Sequence, residues 1–586
     1  MHLCRRILAR VLLIICVATA LLPTTRAAAA DEADLILHHG KIITIDEKFS
    51  IAQALAVKGD RILAVGTNTE ILKLAGPKTR SIDLAGKSLL PGLSDSHVHP
   101  TAASVYEFDH PVPEMDTIAD VLKYIGSRTA AVEKGKWIVI RQVFITRLRD
   151  QRYPTRKELD LVAPDHPVLF ATGPDASVNS LALKLSGIDR DFKITDGGTG
   201  YIEHDAATGE PTGILRSCTR IVKTEASEKP ATPAEKRERL QRLLADYNAI
   251  GITSIADRNA DDEALELYQT LKDRGELSCR VFLSYAVDAQ APLEKIESRI
   301  KQAAANPLHQ YDNRLWLRGI KCFLDGGMLT GSAYMQKPWG VSTIYSITDP
   351  EYRGLLYIQP DKLRAIAKLA LENDLQMTAH SVGDGAVQSL IDAYAAIDPE
   401  LPVRERRPCI THCNFMSIDA IQKMQSLGIV ADLQPAWLWL DGKTLLTQFG
   451  SERLTYFQPY KTLFERGVVI GGGSDHMQKI GSLRSVNPYN PFLGMWITLA
   501  RQPRRAEQPL HPEQRLTREQ AIRLYTINNA FLTFEEKEKG SLERGKLADF
   551  VILKQDILTC PEETVKDIEV AQTYLAGKLI YDSAAK

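Results

Sequence analysis

From Leu93 to Asp475 the chain alternates two patterns. Short apolar runs bounded by Gly, Pro or polar residues read as buried strands, and longer stretches with apolar residues three and four apart read as amphipathic helices. The strands are Ser88 to Pro100, Gly251 to Asp257, Arg280 to Val287, Leu317 to Asp325, Leu375 to His380, Pro408 to His412, Gly428 to Gln434 and Gly467 to Asp475. Between them Asp361 to Asn373 is typical of the helices, with Leu363, Ile366, Ala367, Ala370 and Leu371 on one face. Further helices are expected at 234–249, 262–274, 293–304, 385–397 and 417–427, and at 517–531, where Thr517 and Gln520 are placed as a capping box. Eight such units predict an α/β fold, a (β/α)8 TIM barrel with its active site at the C-terminal ends of the strands.

The two ends of the chain read differently. Residues 33–90 hold short runs such as Asp34 to Leu37, Lys41 to Ile45 and Arg61 to Val65, separated by turn signals at Gly40, Gly59 and Gly66. A similar set returns at Ala548 to Leu553 and Val570 to Tyr581, so both ends are expected to build one small β-sandwich. Roughly 150 residues separate the first two barrel strands, far beyond an ordinary connection, and predict an inserted subdomain. The expected divisions are 31–90 and 536–586 for the sandwich and 91–535 for the barrel, with the insertion at about 105–245.

Residues 1–30 fit neither pattern. Arg5, Arg6 and Arg10 precede the apolar run Val11 to Leu22, followed by Pro23 and Ala27 to Ala30. That order of basic, apolar and small residues predicts a cleaved secretory signal, and hence an exported protein, periplasmic or secreted. The apolar run is too short to cross a bilayer, so no membrane span is expected after cleavage. With 72 Lys+Arg against 73 Asp+Glu, charge suggests neither a nucleic-acid partner nor an anionic surface. The six cysteines beyond residue 30 show no Cys-x-x-Cys and read as small buried hydrophobes.

Chemistry is carried by polar residues that interrupt the apolar strands. In an extended run Asp95, His97 and His99 share one face, which makes half a metal site. Lys321 lies inside the fourth strand, His380 ends the fifth, His412 the sixth and Asp475 the eighth. Each is at the expected barrel mouth, and four histidines with one aspartate there favour a metal. A buried Lys321 needs either a partner, such as Asp325 or Asp257, or chemical change: carbamylation by CO2 makes it a carboxylate-like bridge between two cations.

With these residues in view, the chain resembles the amidohydrolase superfamily from about residue 33 onward, through Pro91-Gly92 with Asp95-Ser-His-Val-His99, Gly472-Gly-Ser-Asp475 and Gly545-Lys-Leu-Ala-Asp549. Phe323-Leu-Asp-Gly-Gly327, His380-Ser-Val-Gly-Asp384, His412-Cys-Asn414 and Gln434-Pro-Ala436 are similar to its amidohydrolase 3 (YtcJ-like, N-substituted formamide deformylase-like) branch. The resemblance implies that His97, His99 and Asp475 hold one ion, that His380 and His412 hold a second, and that carbamylated Lys321 bridges them. A variant with one ion would leave Lys321 unmodified. Zn2+ is the metal that a His-rich set suggests, with manganese or iron as alternatives. The chain departs from the branch at Gly173-Pro-Asp175 and at Met328 to Tyr334, which leaves the substrate open.

The reaction so implied is metal-assisted hydrolysis of a non-peptide C–N bond, amide or formamide-type, in a small-molecule substrate, with Asp475 as proton carrier. Ester or lactone hydrolysis by the same site is the alternative reaction, and a non-catalytic exported binding protein the alternative class. Asp325, Tyr334, Gln434, Trp437 and Asn487 are expected beside the substrate because each follows a strand closely. Trp437, Trp439, Phe415, Tyr456 and Trp496 suggest an apolar or aromatic substrate portion. His476 is expected to face away, and Asp384 to cap a helix.

Overall fold

A computed structural model describes residues 32–198, 200–225 and 229–585; the signal predicted at 1–30 lies outside them. Eight parallel strands pair in sequence order: Leu93–Val98, Ile252–Ala260, Arg280–Ala286, Leu315–Phe323, Gln376–Ser381, Cys409–His412, Val430–Leu433 and Ile470–Gly472. Seven agree with predicted runs to within a few residues, while the first predicted run, Ser88 to Pro100, divides: Ser88–Pro91 joins a separate six-stranded sheet and Leu93–Val98 the barrel. The strands are almost wholly buried, as continuous Val, Ile and Leu runs require in a sheet covered on both faces.

The barrel is nearly closed. Between the eighth strand and the first, Asp475 N–H donates to His97 O (2.8 Å), His99 N–H donates to His476 O (2.8 Å), and Val98 bridges His476 in parallel. Closure therefore occurs at the residues in which sequence located half a metal site. Close approach demands glycine there, since a Cβ on Gly473 would lie 2.9 Å from His97 N.

Helices Pro233–Ala249, Asp262–Asp273, Leu293–Ala305, Pro360–Glu372, Asp384–Ile397 and Ile418–Leu427 follow the predicted patterns. The apolar face of Pro360–Glu372 is the one read from the sequence, with Leu363, Ile366, Ala367, Ala370 and Leu371 buried. The helix expected at 517–531 is two, Arg518–Leu524 and Ile527–Leu532, because Thr526 takes non-helical angles between them; Thr517 and Gln520 do form the capping box.

The two chain ends meet. A six-stranded sheet joins Lys41–Ile43, Ile51–Ala52 and Ser88–Pro91 to Phe550–Leu553, Val570–Leu575 and Lys578–Asp582, and a four-stranded sheet holds Ala33–His38, Ala54–Lys58, Arg61–Gly66 and Ala75–Asp83. One apolar cluster, with Leu37 and Val57 from the smaller sheet and Leu89 and Ile552 from the larger, lies between them. A buried bidentate pair ties this unit to the third barrel strand: Arg280 Nε and Nη2 donate to the Asp549 carboxylate at 2.6 and 2.9 Å. Burial would raise the Asp549 carboxyl, but Arg280 pulls it below its ordinary value.

Between the first and second barrel strands, a five-stranded sheet is built from Ile138–Arg141, Val168–Ala171, Ala176–Val178, Tyr201–His204 and Pro211–Arg216. Phe144 and Phe170 from this region share an apolar cluster with Met328, Trp437 and Leu493 from the barrel loops, so the insertion rests on the barrel mouth. Among the described residues no helix is long and apolar enough to cross a membrane.

Candidate metal centre

The mouth of the barrel brings His97, His99 and Asp475 together. His97 Nε2 lies 3.2 Å from His99 Nε2, and Asp475 Oδ1 lies 3.1 Å from His99 Nε2 and 3.5 Å from His97 Nε2. Two nitrogen ligands held at 2.0–2.1 Å on a tetrahedral ion stand about 3.3 Å apart, so this trio has the spacing of ligands to one cation. His412 and His380 stand next to it, with ring centroids 5.1 Å (His97 to His412) and 4.6 Å (His412 to His380) apart.

The backbone is strained where these groups are presented. His412 has φ 81° and Asp475 φ 55°, left-handed values that cost a non-glycine residue about 1–3 kcal/mol. Hydrogen bonds hold both turns: Cys413 N–H donates to Ser381 O (3.1 Å), and Asn487 Nδ2 donates to Asp475 O (2.7 Å). The turns redirect both side chains from the alternation an extended strand would impose.

Burial favours the neutral form, the one that binds a cation, at His97, His380 and His412. Burial drives His97 and His412 well below the ordinary range, aided at His97 by Lys321 and His99, and at His412 by His380 and His97. Burial, with Lys321, lowers His380 to about 3. Behind the rings, His97 Nδ1 contacts Asp432 Oδ1 at 3.3 Å and His412 Nδ1 contacts Gln434 Oε1 at 2.7 Å. His380 Nε2 is 3.3 Å from Gly326 O.

Lys321 has neither of the partners weighed from sequence. Its Nζ is buried with no hydrogen bond, 5.2 Å from the Phe323 ring centroid. Burial lowers the ammonium to about 8, although Asp432 and Asp475 act to raise it. A buried ammonium with no acceptor is an unsatisfied group of the kind a bound cation or a change of the amine resolves. Carboxylate, imidazole and a masked amine, with no cysteine among them, suit a borderline divalent cation with open coordination positions.

A cavity of about 670 Å3 opens over these groups. Its walls include His97, His99, Lys321, His380, His412 and Asp475. Phe144 from the insertion and Phe323, Met328, Leu329, Trp437 and Met477 from the barrel make much of the remainder apolar.

Of the five residues expected beside the substrate, Asp325 and Trp437 line this cavity. Asp325 is occupied structurally: its carboxylate accepts N–H groups of Tyr334 (2.9 Å), Val382 (3.0 Å) and Gly383 (2.9 Å), while burial pushes it up to about 7. Trp437 stacks on His412 with centroids 4.6 Å apart, and its Nε1–H is buried without a partner. The other three lie outside the cavity walls. Tyr334 O accepts from Gly385 and Ala386, Gln434 lies behind His412, and Asn487 lies behind Asp475 with its Oδ1 accepting from Arg147 (3.0 Å).

The wider aromatic group also divides. Only Trp437 among the five aromatics faces the cavity; Phe415, Trp439 and Trp496 pack in or against the cluster beneath the insertion. His476 does face away, with Nδ1 against Tyr247 OH (2.6 Å). Asp384 is not the cap: Gly383 takes that position, and the Asp384 carboxylate accepts from Gln336 N–H (2.8 Å). The six cysteines among the described residues are free, and Cys409 and Cys413 are fully buried.

Sequence reasoning missed Asp432 and Arg258, and it weighed Asp257 as a partner for Lys321 where the structure places it on the cavity wall. Asp432 and Arg258 are wholly buried. Arg258 Nε donates to Ser96 O (3.0 Å) and lies 3.6 Å from Asp432 Oδ2. A usable signal existed in Ala431-Asp432-Leu433, a charge inside an apolar strand like Lys321.

The model of the amidohydrolase family matches residues 80–581. The chain is 28% identical over 564 residues to N-substituted formamide deformylase of Arthrobacter pascens, covering 94% of this chain and 98% of that protein. It is 24% identical over 562 residues to amidohydrolase YtcJ of Bacillus subtilis, covering 94% and 99%. Among solved structures, an uncharacterised metal-dependent hydrolase from Pyrococcus horikoshii is similar with a TM-score of 0.65 at 20% identity, over 90% of this chain and 99% of that one.

Proposed function

Because this chain belongs to the amidohydrolase family, we propose that it is an exported hydrolase of a non-peptide amide or formamide-type C–N bond. The observation that carries the reading is the convergence of His97, His99 and Asp475, with ligand atoms within 4.8 Å of one another, at the floor of a largely apolar cavity. In this reading His97, His99 and Asp475 would hold one ion, His380 and His412 would hold a second, and Lys321, as a carbamate, would serve both; Zn2+ is the proposed metal. When bound, such an ion supplies an ionised water near neutral pH and polarises the scissile carbonyl.

The chain's own groups do the rest. Asp475 accepts the water proton at its carboxylate and delivers it to the leaving nitrogen, with its backbone held by Asn487. Phe144, Met328, Leu329 and Trp437 orient an apolar or aromatic substrate portion and exclude water from it. The domain plan supporting this site is a cleaved signal at 1–30, a sandwich of 31–90 and 536–586, and a barrel of 91–535 carrying an insertion at about 105–245. Periplasmic or secreted localisation rests on the residue pattern of 1–30.

The zinc-loaded mature protein tested on N-substituted formamides, N-acyl amines and matched esters and lactones decides the bond type. An aryl- or alkyl-bearing formamide or amide is expected to reach a kcat/KM of at least about 10^4 M−1 s−1, and to exceed its ester counterpart. Turnover of esters or lactones alone would replace the C–N assignment, and binding without turnover of any class would leave a binding protein.

A further inference from the structure

Behind the metal-facing rings a single chain of hydrogen bonds runs from one half of the ligand set to the other. His97 Nδ1 faces Asp432 Oδ1 at 3.3 Å, Gln434 Nε2 donates to the same oxygen at 3.0 Å, and Gln434 Oε1 faces His412 Nδ1 at 2.7 Å. All four side chains are buried, at 2% exposure or less. Donor and acceptor roles are fixed along the chain. A carboxylate only accepts, so it turns the amide nitrogen of Gln434 toward itself; the amide oxygen is then left for His412, whose Nδ1 must carry the proton. His97 Nδ1 must do likewise against Asp432. Both rings thereby keep Nε2 as the bare nitrogen.

On the function proposed above, we infer that Asp432 and Gln434 form a positioning relay that sets the tautomers of His97 and His412 together and so couples the two halves of the metal centre. Neither residue lines the cavity. Arg258, 3.6 Å from the other Asp432 oxygen, anchors the relay in the barrel interior. The relay also accounts for a polar Asp432 within the apolar seventh strand and for a Gln434 withdrawn from the cavity.

The relay predicts an effect at a distance. In Asp432→Asn the introduced amide can donate to Gln434, which lets the Gln434 amide reverse and present its NH2 group to His412 Nδ1. His412 then places its proton on Nε2, the wrong atom for ligation, although Asp432 makes no hydrogen bond to that ring. Gln434→Ala removes the same support by a different route and leaves Arg258 and Asp432 intact.

The test is zinc retention against a graded chelator, with the visible spectrum of the Co2+-loaded protein, in full-length mature wild type, Asp432→Asn, Gln434→Ala and the double variant. The metal-free thermal midpoint of each is the control for folding. Each single variant is expected to hold zinc about 10–100-fold more weakly, with an altered Co2+ spectrum. The double variant is expected to match the weaker single to within about twofold, because both act through one chain. Multiplied losses in the double variant, or wild-type retention and spectrum in Gln434→Ala, overturn the relay. If the variants match a wild type that binds metal, the relay alone falls; a wild type that binds no metal overturns the relay together with the proposed function.

Discussion

Asp475→Asn is expected to fold like wild type and to lose activity by about 10^4-fold in kcat/KM, the upper end for removal of a positioned acid–base group. The change preserves shape, so the Asn487 hydrogen bond to the backbone at 475 and the closure between Asp475 N–H and His97 O both survive. Two functions are lost at once. An amide cannot accept the water proton at neutral pH, and it is a poorer ligand than a carboxylate beside His97 and His99, whose Nε2 atoms lie 3.5 and 3.1 Å from Oδ1. The thermal midpoint of the metal-free variant should stay within a few degrees of wild type, which separates this loss from misfolding. Retention of activity within tenfold would assign proton transfer to another group, with Asp257 on the same cavity wall the first to test.

Lys321→Ala is expected to reduce bound metal from two ions per chain to one or fewer, and activity by at least about 100-fold, since removal even of an outer partner of a metal ligand costs 10–100-fold. The partnerless, buried Nζ motivates this: it has no acceptor among the described residues, and the proposed carbamate would satisfy it. Wild-type metal content should then rise with bicarbonate during loading, and the variant should not respond. Elemental analysis of both proteins with and without bicarbonate reads this directly. One ion per chain in both, without a bicarbonate effect, would favour the one-ion mechanism with Lys321 unmodified. The arrangement of His97, His99 and Asp475 by itself is compatible with that mechanism.

The fold was legible because its signals are local and repeated. Eight apolar runs, each closed by a proline, an aspartate or a histidine, could be read singly and then counted, and the amphipathic face of residues 360–372 follows directly from spacing. The break at Thr526 was passed over because the segment holds no glycine or proline, although Tyr525 to Asn529 is a run of weak helix formers.

At the site, positions along strands were legible but directions after them were not. Lys321 stood out as a charge inside an apolar run, and His380, His412 and Asp475 as polar residues at the ends of theirs. The alternation rule then fails where the chain turns left-handed, at His412, Cys413 and Asp475. Gln434 and Asn487, assigned to the substrate by proximity to a strand end, lie behind the metal-facing groups instead, against His412 and Asp475. Asp432 carried the same signal as Lys321 but could be weighed only once its neighbours in space were known. The apolar wall was hidden for another reason: Phe144 comes from the insertion, brought over the mouth by contacts that no periodicity records.

The measurement that tests the central claim most directly follows metal content and hydrolysis together. Mature protein stripped by a chelator is titrated with Zn2+, and bound ion per chain is compared at each step with turnover of the best amide or formamide. The account predicts no hydrolysis in the stripped protein and a rise that saturates with one or two ions bound. Stripped protein that keeps the wild-type rate, or bound zinc that brings no hydrolysis of any C–N substrate, would contradict it.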